Sequence, residues 1–136
     1  MAMVLTLVSP AVAGDAKGKR PKLGMRATPR FAFAPTTVLF TAELSGGAEV
    51  EELYCPGLEW SWGDGEISVQ EGDCPPYGSE SVLDRVFMGR HAYRMAGRYE
   101  IRLSLVRSGQ RVAVASTTID VRPGLGSGQR AASLWE

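Results

Sequence analysis

Few side chains in this sequence could do acid–base or covalent chemistry. His91 is the only histidine. A catalytic triad would need an exposed serine and a carboxylate beside it, and a catalytic zinc site would need further ligands. The sequence also lacks a nucleophile elbow. Adjacent acids such as Glu51 and Glu52 point to opposite sides of a strand, so they would not face one substrate. We therefore expect no enzymatic activity.

The two cysteines, Cys55 and Cys74, predict a disulfide. Two cysteines in an exported chain pair most simply with each other. Two thiolates with no histidine nearby would leave a zinc site short of ligands. The bridge would close a loop of about twenty residues and stabilise the fold by roughly 3 kcal/mol.

The first 13 residues predict a short signal peptide. Met3–Val8 is apolar, and Ala11-Val12-Ala13 has the small-x-small pattern of a cleavage site. The apolar run is too short to span a bilayer as a helix. We expect cleavage after Ala13 and an exported protein, periplasmic or extracellular, without a membrane span.

The charges are strongly segregated although they sum to zero. Between Phe31 and Asp84 there are eleven acids and no Lys or Arg, whereas Arg85 to Glu136 holds nine arginines against three acids. The zero total gives no reason to expect a nucleic-acid partner. The segregation leaves two interpretations open. The charged faces are either simply solvated, or they meet a partner or a second copy of the chain.

Short apolar and β-branched runs separated by turn residues predict an all-β fold. Val38, Phe40 and Ala42 share one face of their segment, and apolar and polar residues alternate over 98–106. The predicted strands are 30–34, 36–44, 51–62 with a break at 55–57, 67–69, 98–106 and 111–122. The segment 81–93 is ambiguous between a helix and a strand over 85–93.

These elements predict a two-sheet β-sandwich of about seven strands. Ser108-Gly109 predicts a tight hairpin turn, and a change of parity predicts a bulge near Ala115-Ser116. The expected organisation is a signal peptide (1–13), a flexible basic lead-in (14–29), the sandwich domain (30–122) and a flexible tail (123–136).

Three motifs and the opening strand upstream of them resemble the PKD domain, an immunoglobulin-like module named after polycystic kidney disease. Trp60-Ser61-Trp62-Gly63-Asp64-Gly65 resembles the family's W-D-F-G-D-G, and His91-Ala92-Tyr93 resembles its H-x-Y. The stretch 96–103 (AGRYEIRL) resembles the following A-G-x-Y-x-V-x-L strand, and 35–47 (PTTVLFTAELSGG) resembles the opening strand. Ser61 and Trp62 depart from the motif, and the segment holding both cysteines is not typical of the family.

The resemblance implies structural roles for the motif residues. Trp60 and Trp62 point to the same face of a strand, and one of them should pack between the sheets. Asp64 should cap the glycine turn by accepting backbone N–H bonds. Tyr99 occupies the position of a tyrosine corner. The structural set is Trp60, Trp62, Gly63, Asp64, Gly65, His91, Tyr93, Gly97 and Tyr99.

The resemblance further implies a non-catalytic interaction module that serves protein contact, adhesion or spacing. Arginines of the last hairpin could bind a protein partner or protect an edge from aggregation. They are Arg98, Arg102, Arg107 and Arg111. The alternative is a carbohydrate-binding accessory module whose partner is a cell-surface glycan. It would stack sugars on Trp62, Tyr77 or Trp135.

Calcium is the one cofactor that the resemblance raises, because some PKD domains bind calcium through acidic loops. Asp64, Glu66, Glu71 and Asp73 are oxygen donors close in sequence. Ser45-Gly46-Gly47-Ala48 lacks the acidic and amide side chains that such a loop often supplies. We expect no cofactor, with Asp64, Glu66 and Asp73 as the calcium candidates.

Overall fold

A computed structural model describes residues 21–47 and 51–124 as eight β-strands and one short 3-10 helix. The strands are β1 (Lys22–Thr28), β2 (Phe31–Phe33), β3 (Thr36–Ser45), β4 (Gly57–Ser61), β5 (Ile67–Gln70), β6 (Val86–Tyr93), β7 (Gly97–Arg107) and β8 (Gln110–Arg122), with the helix at Glu51–Leu53. The predicted signal peptide lies outside the described residues, as does all of the predicted tail beyond Gly124.

The strands form two sheets that face each other across one core. The smaller sheet has the order β1-β3-β6 and the larger has the order β2-β8-β7-β4-β5. All neighbouring strands are antiparallel except β2 and β8, which run parallel. The predicted two-sheet β-sandwich is confirmed, with eight strands where about seven were expected.

The core follows from the alternation of side chains along the central strands. On β3, Val38, Phe40 and Ala42 are buried, as the sequence predicts. On β7, Ile101 and Leu103 are completely buried. Because β3 and β7 are central in their sheets, these inward rows meet in the middle of the sandwich and fix both sheets around the same apolar layer.

Two predicted segments are corrected by the structure. The prediction of a flexible lead-in is wrong over Lys22–Thr28, because this segment forms strand β1, which pairs with β3. The strand predicted over 51–62 begins only at Gly57, because Glu51–Leu53 forms a 3-10 turn. The ambiguous segment 81–93 resolves as the strand β6.

The β7–β8 hairpin turns at Ser108 and Gly109, which have φ values of 52° and 75°. Two successive residues with positive φ match the right-handed twist of the strands, so the predicted tight turn is confirmed. The predicted bulge position is wrong. The register shifts between Leu105 and Val106, whose partners are Ala113 and Arg111, so Val112 is the extra residue.

The predicted disulfide joins Cys55 and Cys74, with their Cα atoms 6.1 Å apart. Cys55 lies just before β4, and Cys74 lies in the irregular segment that follows β5. The bridge therefore ties the connection between β5 and β6 to the start of β4.

Candidate functional site

Three rings form a parallel stack at one end of the core. Trp60 and Trp62 lie 4.9 Å apart with their planes at 3°, and His91 lies 4.7 Å from Trp62 with its plane at 1°. Both tryptophans are buried, at 3% and 4% exposure, and the Trp62 indole N–H donates to Ser68 Oγ at 2.8 Å. The interpretation of Trp62 as a solvent-facing platform for sugars is therefore wrong.

The glycine turn that follows Trp62 aims Asp64 at this stack. Gly63 and Gly65 have φ values of +88° and +95°, which favour glycine. A Cβ on Gly63 would also lie 2.6 Å from the carbonyl oxygen of Glu100. The Asp64 Oδ1 atom accepts the backbone N–H of Glu66 at 3.0 Å, which confirms the predicted cap. Its Oδ2 atom is thereby left facing β6.

Asp64 and His91 are hydrogen-bonded to each other between the two sheets. Asp64 Oδ2 lies 2.6 Å from His91 Nε2, and Glu66 Oε2 lies 3.5 Å from the same nitrogen. Partial burial raises the pKa of Asp64, but the hydrogen bonds from His91 and from the Glu66 backbone outweigh it and hold this pKa below its ordinary value. The local sequence did not reveal this pairing, because 27 residues separate Asp64 from His91.

The acidic candidates for calcium are only partly brought together. Asp64 and Glu66 join His91 in a group whose ligand atoms all lie within 4.8 Å of one another. Asp73 belongs to the disulfide-linked segment and is not part of this group. Calcium takes six to eight oxygen ligands, whereas this group offers two carboxylates and an imidazole nitrogen. The residues therefore do not fit a calcium site.

Two tyrosines complete the structural set. The Tyr93 hydroxyl donates to the carbonyl oxygen of Trp62 at 2.7 Å, and burial, followed by the charge of Asp64, raises the pKa of Tyr93. The Tyr99 hydroxyl donates to the carbonyl oxygen of Met95 at 2.6 Å, four residues upstream. The predicted tyrosine corner is thus present, and Gly97 lies against the Tyr99 ring.

The predicted partner-binding arginines fall into two groups. Arg98 and Arg102 are exposed on the outer face of the larger sheet, and Arg111 borders a cavity on the same face. Arg107 instead donates to the carbonyl oxygens of Glu51 and Tyr54, and its guanidinium lies 5.4 Å from the centre of the Tyr54 ring. Arg107 therefore serves the fold, and we remove it from the predicted partner-binding set.

The outer face of the larger sheet also carries exposed aromatic side chains at its β2 edge. Phe31 lies opposite Asp120, which in turn lies opposite Arg98, so all three point outward. Phe31 and Phe33 make an edge-to-face pair 5.6 Å apart, and the Arg122 guanidinium lies 5.7 Å from the Phe31 ring. The sequence predicted this strand but could not show which way it faces.

The opposite edge of the same face carries exposed aliphatic side chains. Ile67 lies opposite Ser61, which also lies opposite Arg102, and Val69 lies opposite Glu59. Ile67 and Val69 therefore flank the arginines on the side away from Phe31. We call the outward residues of β2, β8, β7, β4 and β5 the outer face.

The other predicted sugar platforms receive no support. Tyr77 is 38% exposed, and its ring packs edge-on against Tyr54 at 5.3 Å. The Tyr54 hydroxyl is itself bonded to the carbonyl oxygen of Pro75 at 2.6 Å. Trp135 lies outside the described residues. With Trp62 excluded, the stacking of sugars stays a prediction for Tyr77 and Trp135.

Comparisons with known proteins support the fold. No family model matches this chain, and no curated protein matches its sequence. The PKD domain of an M14-like peptidase from a Thermoplasmatales archaeon aligns with a TM-score of 0.54 at 15% identity, covering 79% of this chain and 99% of that domain.

Two structures of a CARDB domain from Pyrococcus furiosus align less well. One, solved in complex with di-metal ions, has a TM-score of 0.45 at 11% identity and covers 78% of this chain and 97% of that one. The other, a solution structure, has a TM-score of 0.48 at 12% identity and covers 77% and 96%. On the stronger likeness, the fold of this chain is the immunoglobulin-like β-sandwich of a PKD domain.

Proposed function

We propose that this chain is a non-catalytic interaction module that binds another protein through its outer face. The observation that carries the proposal is a set of four large hydrophobic side chains that are more than half exposed on that one face. They are Phe31 (53% exposed), Phe33 (56%), Ile67 (64%) and Val69 (69%).

The composition of the outer face suits a protein partner. Aromatic residues and arginine are enriched at the sites that carry most binding energy in protein interfaces. Here Arg98 and Arg102 lie between the phenylalanine edge and the Ile67 edge. Among the described residues, Arg102 pairs with Glu100 at 3.5 Å between exposed side chains, and such a pair contributes little by itself. Exchanging it for a contact with a partner would therefore cost little.

The opposite face of the sandwich is a poorer candidate. Outward positions of β3 are mostly polar, with Thr37 and Glu43 exposed and Thr41 buried. Among the described strand residues of that side, large exposed hydrophobic side chains occur only on β6, at Val86 and Met88. A partner would find a larger exposed apolar area on the outer face of the five-stranded sheet.

The compartment belongs to the same proposal. Disulfides persist in oxidising compartments such as the periplasm and the extracellular space, and the bridge between Cys55 and Cys74 suits an exported module. In the described part of the chain, no helix is long and apolar enough to cross a membrane.

The test starts from a cross-linked capture with the tagged chain in its native envelope fraction. The captured partner is then purified, and its affinity is measured for the wild type and for two outer-face variants. These are Phe31→Ser with Phe33→Ser, and Arg98→Glu with Arg102→Glu. We expect each double variant to weaken binding by about tenfold or more, because truncating an interface anchor typically costs at least about 1 kcal/mol.

The matched control changes the opposite face. Met88→Ser with Arg90→Glu alters an exposed hydrophobic and an exposed cation on β6 and should leave the affinity unchanged. Far-UV circular dichroism confirms that all variants fold. Equal affinity in wild type and outer-face variants, or an equal loss in the control, contradicts the proposal. Retention on insoluble polysaccharide without a protein partner would favour the carbohydrate-binding alternative.

A further inference from the structure

We propose that Asp64, Glu66 and His91 form a binding site for a divalent transition-metal ion of the zinc type. The inference goes beyond docking at the outer face and concerns the end of the sandwich where the glycine turn meets β6. The three ligand atoms lie within 4.8 Å of one another. They combine one imidazole nitrogen with two carboxylates, a donor set that zinc accepts.

Two of the three ligands are held in place before any ion binds. The Asp64 carboxylate is fixed through Oδ1 by the Glu66 backbone N–H at 3.0 Å, and its Oδ2 atom points at His91 Nε2. The His91 ring is fixed by its stacking on Trp62, and its side chain is only 12% exposed. Such preorganisation reduces the entropy that an ion would otherwise have to overcome. Only Glu66, with a side chain 73% exposed, must still be ordered.

Two of the three distances between ligand atoms are close to those around a coordinated ion. Two ligand atoms that each lie about 2.1 Å from a tetrahedral zinc ion are about 3.4 Å apart. His91 Nε2 and Glu66 Oε2 are already 3.5 Å apart. His91 Nε2 and Asp64 Oδ2 are 2.6 Å apart, so this pair would need to open by less than about 1 Å to admit the ion.

The site has room for further ligands. Asp64, Glu66 and His91 line an open cavity of about 660 Å³ that also borders Arg94 and Tyr99. Three protein ligands and an accessible fourth position describe a zinc site that keeps water or a partner's side chain bound. The nitrogen ligand makes zinc, nickel or copper a better match than calcium, which prefers oxygen ligands.

A bound ion would connect the two sheets. Asp64 and Glu66 belong to the β4–β5 turn of the larger sheet, whereas His91 belongs to β6 of the smaller sheet. An ion that binds only the folded chain stabilises it in proportion to the logarithm of its concentration over its dissociation constant. The melting temperature should therefore rise with zinc.

The experiment uses the full chain without a polyhistidine tag. Isothermal titration with zinc chloride should show one ion bound per chain, and calcium chloride should give no matching signal. Copper(II) should bind at the same place and quench tryptophan fluorescence, since the His91 ring is stacked on Trp62 at 4.7 Å. Zinc added first should protect against this quenching.

The decisive variant is Glu66→Gln. The Glu66 side chain is 73% exposed and approaches His91 at 3.5 Å, so the variant should fold normally. Its zinc affinity should fall by about tenfold or more, since loss of even an outer-sphere partner of a metal costs 10–100-fold. His91→Gln should abolish both the binding and the copper quenching.

The matched control is Asp73→Asn, which removes an acid from the disulfide-linked segment outside the group. It should bind zinc as the wild type does. An absence of zinc binding at millimolar concentration overturns the metal site. So does unchanged affinity in Glu66→Gln, or an equal loss in Asp73→Asn. None of these results bears on the outer face, so docking is tested separately.

Discussion

Asp64 links two parts of the chain that are remote in sequence. One carboxylate oxygen caps the turn around it, and the other is bonded to His91 on the opposite sheet. The cap could be predicted, because Gly-Asp-Gly after a strand is a turn signal in itself. The bond to His91 could not, because it depends on how the two sheets are placed.

We expect Asp64→Asn to destabilise the fold in a pH-dependent way. The folded-state pKa of Asp64 lies below its ordinary value of 3.8. Its charge therefore adds stability above pH 3.8, and this contribution is lost as the pH falls through the folded-state pKa. Urea unfolding with EDTA at neutral pH should show a loss of about 0.5 kcal/mol, a value appropriate to a partly exposed pair.

The asparagine side chain keeps an oxygen for the turn cap, so the comparison isolates the charge. The difference between wild type and variant should shrink as the pH is lowered below 3.8 and the wild-type carboxylate becomes protonated. A difference that stays constant across that range would show that the loss has another cause than the charge of Asp64.

At the scale of the elements, β6 shows how packing decides what a local pattern leaves open. Val82, Leu83, Val86 and Phe87 have helical spacing, yet the chain is extended from Val86 onward. Pairing with β3 along eight residues outweighs the helical pattern. Gly89 in the middle of this strand matters because a Cβ there would lie 2.9 Å from atoms of both Trp60 and Trp62.

We expect Gly89→Ala to lower the free energy of unfolding by about 1–3 kcal/mol, the usual cost of forcing an extra group into a packed core. The tryptophan rings cannot withdraw, because both are buried in the stack. Gly24→Ala is the control, since nothing lies within 4 Å of a Cβ at that strand position. Equal effects in urea unfolding would show that the ring contact at Gly89 is unimportant.

The first strand shows a signal that composition obscured. In β1, Leu23, Met25 and Ala27 alternate with more exposed residues, a period of two that fits a half-buried strand. The basic residues and the flanking prolines favoured a flexible segment instead. Strands β3 and β7 were predictable, because apolar and polar residues alternate along them. Which side chains of these and the neighbouring strands point to solvent could not be predicted, because that depends on the register of the sheets.

For the molecule as a whole, the least regular part of the sandwich domain is the connection between β5 and β6. Residues 71–85 form no strand, and the described residues 71–80 are all exposed. The disulfide therefore replaces the sheet pairing that would otherwise hold this segment. The presence of the bridge was predictable from two cysteines, but its position against the start of β4 was not.

We expect reduction, or Cys55→Ser with Cys74→Ser, to lower the free energy of unfolding by roughly 3 kcal/mol, because the bridge spans 19 residues of sequence. The folded sheets should persist, with the change confined to the segment after β5. Urea unfolding with and without reductant measures the loss. If reduction lowers the stability of the wild type but the double-serine variant is as stable as the oxidised protein, the loss has a cause other than opening of the disulfide.

The path of the strands also has a mechanical consequence. β1 starts at Lys22 beside Ser45, at one end of the sandwich, and β8 finishes at Arg122 at the other end, with β2 running parallel beside it. A force pulling Pro21 and Gly124 apart would load the β1–β3 and β2–β8 hydrogen bonds along the strands. Because several hydrogen bonds would have to break at once, this domain should resist tension better than a domain whose hydrogen bonds break one after another. The rate of forced unfolding measures this resistance.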